Sequence, residues 1–399
     1  MQEEKFPYID RLDETVLDEA ILRFGTPTYV FDVEQAKKRA RAFRGIIGQA
    51  ADLCYAMKAN PFLVRAMAEE VNRIEVCSMG EFRICKQKEI PAEKLLISGV
   101  MKDRDDLWEI LETYGNRCHY TIESLNQYAI LNEWARSSGK KVPVYLRLTS
   151  GNQFGMDEET LTNIVELEQD KDLLEICGIH YFSGTQKKRK KTLEELTYLD
   201  EVFARLKEKT GYQVTELEYG PGLAVPYFAR QADERFETLE AIADALAKMQ
   251  WQGKGTLEMG RAFVADCGYY ITTVKDTKRS GDQNYCIIDG GMHQVNYDGQ
   301  IRGMYQPKLT IRPQGARGIY QNWTICGELC TGNDILVQNI KIDDLRVGST
   351  IIFENTGAYA VTEGMALFLS HVLPAVVLYD PVGGFTQVRA RRETYVWNS

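Results

Sequence analysis

Residues 215–260 hold three segments in a row, TELEYG (215–220), TLEAIADALAKM (238–249) and TLEMG (256–260), and their order decides the fold. The first and last are short runs of strand length ending in glycine. The middle one repeats its apolar residues every three or four positions, the period of an amphipathic helix. Strand, helix, strand in succession makes a parallel pair, because a helical crossover brings the chain back to the same end of the sheet.

The same alternation extends back to residue 50. DLCYAMK (52–58), IEVCS (74–78), KLLIS (94–98), CHYTIE (118–123), VPVYLRL (142–148) and ICGIHYF (176–182) read as further strands, with helical segments such as DRDDLWEILETY between them. Eight such alternations predict an α/β fold with a (β/α)₈, TIM-like barrel over residues 31–268, the competing architecture being a doubly wound sheet. Beyond residue 268 short strands follow one another across turns, from YYITTVKDT to TQVRARRETYVW. That change predicts a C-terminal antiparallel β-barrel or sandwich domain over residues 269–399.

The 399-residue chain is 44% hydrophobic and 26% charged, with a formal net charge of -9. An acidic surface repels a polyanion, which argues against nucleic acid as the main partner. The opening MQEEKFPYID lacks the apolar core of a signal peptide, and no stretch approaches the roughly 18 apolar residues of a membrane helix. The expectation is a cytoplasmic protein with no membrane partner. Nine cysteines without a C-x-x-C pair exclude a disulfide framework and a thiolate zinc site, and the four scattered histidines lack metal-ligand spacing. No metal is expected.

Barrel sites assemble from the carboxyl ends of the strands, and the unusual residues cluster there. Lys58 closes the apolar run LCYAMKAN (53–60), where an ammonium is costly unless it is paired, here with Glu75 or Glu81, or employed for its chemistry. Thr185 follows the sixth strand, YGPG (219–222) ends the seventh and EMGR (258–261) the eighth. Glycine turns beside Arg261 let backbone N–H groups approach a phosphate, although a tight structural turn has the same composition. The run KKRKK (187–191) reads either as a solvated loop balanced by Glu194 and Glu195 or as a docking patch for an acidic carrier protein or polycarboxylate.

Eight ordered motifs resemble one family. YAMKAN, VCSMGE (76–81), GIHYFSGTQ (178–186), YGPGLAVPY (219–227), EMGR, IIDGGM (287–292), CGELCTGND (326–334) and TGAY (356–359) resemble the fold type III pyridoxal-phosphate decarboxylases of diaminopimelate, ornithine and arginine. The resemblance implies pyridoxal 5′-phosphate as cofactor, held covalently by Lys58, with Glu258 at its ring nitrogen. Phe182 stands where the family has a stacking histidine. Gly220, Gly222, Gly260, Arg261, Thr185 and Tyr359 hold the phosphate. Cys330 is the proton donor, reaching the site of a partner subunit in a homodimer with shared active sites, and residues 1–30 join the β domain. Arg302, Thr331 and Asp334 fall in the substrate region.

Three further departures from the family pattern are present, and the last bears on substrate. Pro221 removes one N–H donor from the phosphate turn. Met259 replaces a proline, a minor change. Thr331 stands where the resembled enzymes carry a carboxylate that pairs with the distal ammonium of a substrate. The sequence thus points to decarboxylation of a modified or carrier-linked amino acid, resembling the specialised branch that includes carrier-linked glutamate and citryl-diaminopropionate decarboxylases. The alternatives are a meso-diaminopimelate decarboxylase, a racemase or epimerase, and a non-catalytic cofactor-binding protein.

Overall fold

The first strand, β1 (Thr28–Asp32), pairs with strands far along the chain, and the next eight close into a parallel barrel. These are β2 (Ala51–Ala56), β3 (Arg73–Val76), β4 (Leu95–Ile97), β5 (His119–Ile122), β6 (Val142–Arg147), β7 (Leu174–Phe182), β8 (Glu216–Gly220) and β9 (Lys254–Met259). The computed structural model describes residues 11–313 and 318–399. Every residue of β3, β4 and β6 is buried, as expected of strands covered by helices outside and by packed side chains inside. The crossover helices bear out the periodic reading. Residues Arg235–Lys248 bury Leu239, Ile242 and Leu246 on one face. Side-chain caps set several helix starts: Ser124 accepts the Gln127 N–H before Leu125–Ser138, and Asp157 accepts the Thr160 N–H before Glu158–Lys171.

The remaining strands are β10 (Gly268–Ser280), β11 (Gln283–Ile288), β12 (Leu309–Arg312), β13 (Tyr320–Cys326), β14 (Ile335–Asp343), β15 (Thr350–Glu354), β16 (Ala375–Asp380) and β17 (Gly384–Arg389). They form a mostly antiparallel sheet in the order β14-β13-β11-β10-β1-β16-β17, with β15 pairing β10 and β12. Two pairs run parallel, β1 with β16 and β11 with β13, against the wholly antiparallel expectation. A register irregularity between Val274 and Asp276 lets one long strand, β10, serve β1 and β15 with its first half and β11 with its second.

The chain divides into two units. One comprises Ala40–Val225 and Glu234–Ala262 and carries the barrel; the other comprises the chain up to Arg39, Pro226–Asp233 and Phe263–Ser399. Of the stretch 1–30 assigned to the β domain, residues 1–10 lie outside the described residues. No described helix is long and apolar enough to cross a membrane.

Candidate active site

At the carboxyl end of β2 the chain makes one tight turn, Met57–Ala59, that lifts Lys58 to the barrel mouth. Tyr55 donates its hydroxyl to the Asn60 carbonyl at 2.9 Å, and Asn60 caps the next turn through the Phe62 N–H. Lys58 Nζ donates to Glu75 Oε2 at 2.7 Å, and lies 3.4 Å from Cys77 Sγ and 6.0 Å from the centre of the Phe182 ring. Its side chain keeps 36% of its surface exposed while Glu75 keeps 3%, so the amine is both paired and reachable. Both sequence readings of Lys58, ion pair and reactive amine, therefore meet in one geometry. Cys77 donates its thiol to Glu75 Oε1 at 3.1 Å. The motif VCSMGE builds the support: Ser78 accepts the Glu81 N–H at 3.2 Å, and Glu81 returns to accept the Cys77 N–H at 2.6 Å.

The barrel interior is more highly charged than its strands' apolar composition announces. His180 on β7 places Nε2 3.1 Å from Glu258 Oε2 on β9, and these side chains are only 1% and 4% exposed. Burial, with the Arg147 guanidinium adding to it, lowers the His180 pKa to about 3, so the ring is neutral. A neutral ring meets Glu258 as a donor only in the tautomer with its proton on Nε2; Nδ1 then has no partner among the described residues. Arg147 donates to Glu123 Oε1 at 2.9 Å, and Lys102 Nζ stands 3.7 Å from the same oxygen. Burial lowers Lys102 to about 8 despite that carboxylate. Arg73 donates to Glu218 at 2.8 Å and Glu216 at 3.1 Å, and burial raises Glu218 to about 7 against the pull of Arg73.

Phe182 ends β7 opposite Gly220, which ends β8. Gly222 has φ +59°, and a β-carbon there would stand 2.1 Å from the Gly184 carbonyl oxygen, so only glycine fits. The Gly222 and Leu223 N–H groups have no acceptor among the described residues. Gly260 packs against the Lys58 turn, where an added β-carbon would lie 2.8 Å from the Ala59 β-carbon. Arg261 beside it is buried, and Thr185 is exposed just past β7. Unclaimed N–H donors, a buried guanidinium, an amine over an aromatic face and an inward carboxylate fit a phosphate-bearing aromatic aldehyde.

Three further residues were not assigned roles by sequence: His180, Glu123 and Arg147. The available signal was a charged or imidazole residue within a strand covered on both faces, which must point inward and be paired. The run 187–191 also divides. Lys187 keeps only 7% of its side chain exposed and bonds Glu195 Oε2 at 2.5 Å, whereas Lys188, Lys190 and Lys191 are exposed, so the reading of the whole run as a solvated loop is corrected for its first residue.

The remaining residues singled out in the sequence lie in the β-rich unit. Cys330 is exposed on the loop after β13. Thr331 accepts the Asn333 N–H at 3.4 Å. Asp334, read from sequence as a substrate contact, is buried, and its oxygens accept the Met292 N–H at 2.8 Å and the Leu329 N–H at 2.9 Å. Those two bonds tie the Cys330 loop to the stretch that follows β11. Glu328 Oε1 lies 3.3 Å from both His293 Nε2 and His371 Nδ1. Arg302 is exposed and lines an open pocket with Gln300, Asn333 and Glu363. Tyr359 is half-buried with φ +63°.

A family model described as "Pyridoxal-dependent decarboxylase, C-terminal sheet domain" matches residues 28–357, and the chain belongs to this family. It is a pyridoxal-phosphate-dependent decarboxylase. Among its relatives, the L-glutamyl-[BtrI acyl-carrier protein] decarboxylase of Niallia circulans is 26% identical, over 92% of this chain and 92% of that one. The diaminopimelate decarboxylase of Aquifex aeolicus is 27% identical, over 88% of each. In fold, the chain is similar to the M. jannaschii diaminopimelate decarboxylase solved with L-lysine, with a TM-score of 0.84 and 23% identity over 94% of this chain and 92% of that one.

Proposed function

We propose that the chain decarboxylates an amino-acid derivative whose distal end carries no free ammonium. The observation that carries this reading is the Cys330 loop. Thr331 offers a hydroxyl, Asp334 is taken by backbone N–H groups, and Glu328 faces two histidines. Beside Cys330 the loop thus presents a hydroxyl where a carboxylate would pair with a distal ammonium, and its Asp334 is already held by backbone N–H groups. The similarity to a carrier-linked glutamate decarboxylase supports a modified or tethered substrate, and the exposed Lys188, Lys190 and Lys191 give an acidic carrier protein a surface to meet. Arg302 is the candidate for a substrate carboxylate. Free cysteines throughout the described residues support a reducing, cytoplasmic setting.

When bound, pyridoxal phosphate withdraws the electron pair left at the α-carbon as the carboxylate departs. The chain supplies the rest. Lys58 would hold the cofactor through its aldehyde carbon, and Glu75 Oε2, 2.7 Å from the amine, is placed to take the proton that amine must lose. Glu258 holds the proton on the ring nitrogen, and neutral His180 fixes the orientation of that carboxylate. Phe182 covers one ring face. Gly220, Gly222, Gly260, Arg261, Thr185 and Tyr359 hold the phosphate. Cys330 Sγ returns a proton to the α-carbon; it acts, in our reading, in the site of a partner subunit of a homodimer, as in the resembled family.

A second reading, a diaminopimelate decarboxylase, draws on relatives of that name at nearly equal identity. Carbon dioxide release from free, citryl-linked and carrier-linked amino acids and from meso-diaminopimelate separates the two. Turnover of a modified or tethered substrate at least tenfold above meso-diaminopimelate is the expected result. The reverse order defeats the argument from Thr331.

A further inference from the structure

Pro221 has no N–H, so the turn at the end of β8 has two free donors to aim, those of Gly222 and Leu223. Their direction is set from behind. The Gly220 carbonyl accepts from Lys187 Nζ at 3.2 Å, the Pro221 carbonyl from the Thr192 hydroxyl at 3.3 Å, and the Gly222 carbonyl from the Lys187 backbone N–H at 2.9 Å. In a trans peptide each N–H points away from the carbonyl it is bonded to. Anchoring the Pro221 and Gly222 carbonyls to residues 187–192 therefore turns the Gly222 and Leu223 N–H groups to the opposite side. Lys187 supplies two of the three anchors: its backbone N–H holds the Gly222 carbonyl, and its ammonium holds the Gly220 carbonyl at the base of the turn, on which the placing of the following two peptides depends.

The Lys187 side chain is 7% exposed and Glu195 2%. Lys187 Nζ bonds Glu195 Oε2 at 2.5 Å and Ser183 Oγ at 3.0 Å; Glu195 also accepts the Tyr219 hydroxyl at 2.8 Å and bonds Ser183. The network joins the ends of β7 and β8 to the helix Arg189–Thr210. Lysine and glutamate together are nearly neutral, so this pair adds little field at an anion. Its effect is geometric.

We propose that Lys187 is a positioning residue for the cofactor phosphate: its ammonium, steadied by Glu195, pins the Gly220 carbonyl and so keeps the N–H donors of the Gly220–Leu223 turn aimed at the anion. The inference rests on reading that turn as the phosphate site. The test compares pyridoxal 5′-phosphate with pyridoxal, which differ only in the phosphate, by absorbance titration of the full chain freed of cofactor. The wild-type chain should prefer the phosphorylated form strongly. Lys187→Met should cut that preference about tenfold, the scale of losing a charge-assisted hydrogen bond, while leaving pyridoxal binding nearly unchanged. Lys187→Met also strands the buried Glu195, so the double variant Lys187→Met with Glu195→Gln removes that charge as well and guards against misfolding. It should keep the weakened preference. An unchanged preference in Lys187→Met, or one restored in the double variant, overturns the role of Lys187. A wild-type chain that binds both forms equally overturns instead the placement of the phosphate at this turn.

Discussion

Acidification isolates the inner pair of the barrel. His180 is buried on every side and its pKa is lowered to about 3, first by burial and then by the Arg147 guanidinium. Relative to the ordinary value of 6.5, charging it inside the fold costs on the order of 5 kcal/mol, at about 1.4 kcal/mol per unit. The sign follows from linkage. Between pH 6.5 and about 3 the unfolded chain binds this proton and the folded chain does not, so the stability contributed by neutral His180 is present above 6.5 and lost as pH falls through that window. With four histidines in the chain, the assay is direct: label them isotopically and follow each ring by NMR from pH 8 to 4. One ring, missing from the spectrum of His180→Phe, should keep its neutral shift and its Nε2 proton to the acid end of the range. A His180 midpoint near 6.5, or a proton found on Nδ1, refutes the reasoning and with it the donor role toward Glu258.

Two further outcomes follow from the same geometry. Cys330→Ala should lower product formation by a hundredfold or more, the usual scale of a positioned general acid, while cofactor absorbance is retained; equal loss of both would mark a structural thiol. Gly222→Ala must place a β-carbon 2.1 Å from the Gly184 oxygen at φ +59°, so the turn has to move; cofactor affinity measured by titration should fall at least tenfold, and wild-type affinity would show that the turn does not hold the phosphate.

The barrel was legible because its strands are covered on both faces and so read as apolar runs of the right length, and because LCYAMKAN breaks such a run with one lysine. The charged interior was not. Arg147 in VPVYLRL, His180 in ICGIHYF and Glu218 in TELEYG are flanked by apolar neighbours, and their partners Glu123, Glu258 and Arg73 lie on other strands or just past them. Only the closed barrel brings them together. Strand β16, AVVLYD, went unread in the sequence although its composition is that of a buried strand; its parallel partner β1 lies more than 340 residues earlier, beyond any local pattern. Lys187 was hidden by its neighbours, since a run of five basic residues gives no sign that the first turns inward.

Strand β1 has a consequence for how the molecule is made. All five of its residues are buried, between β10 and β16. On the ribosome TYVFD emerges before either of its partners, and its second edge cannot be covered until Ala375–Tyr379, more than 340 residues later, has been translated. Over that interval the nascent chain therefore carries an apolar strand edge without its native neighbour, the kind of segment on which holding chaperones act and from which misassembly starts.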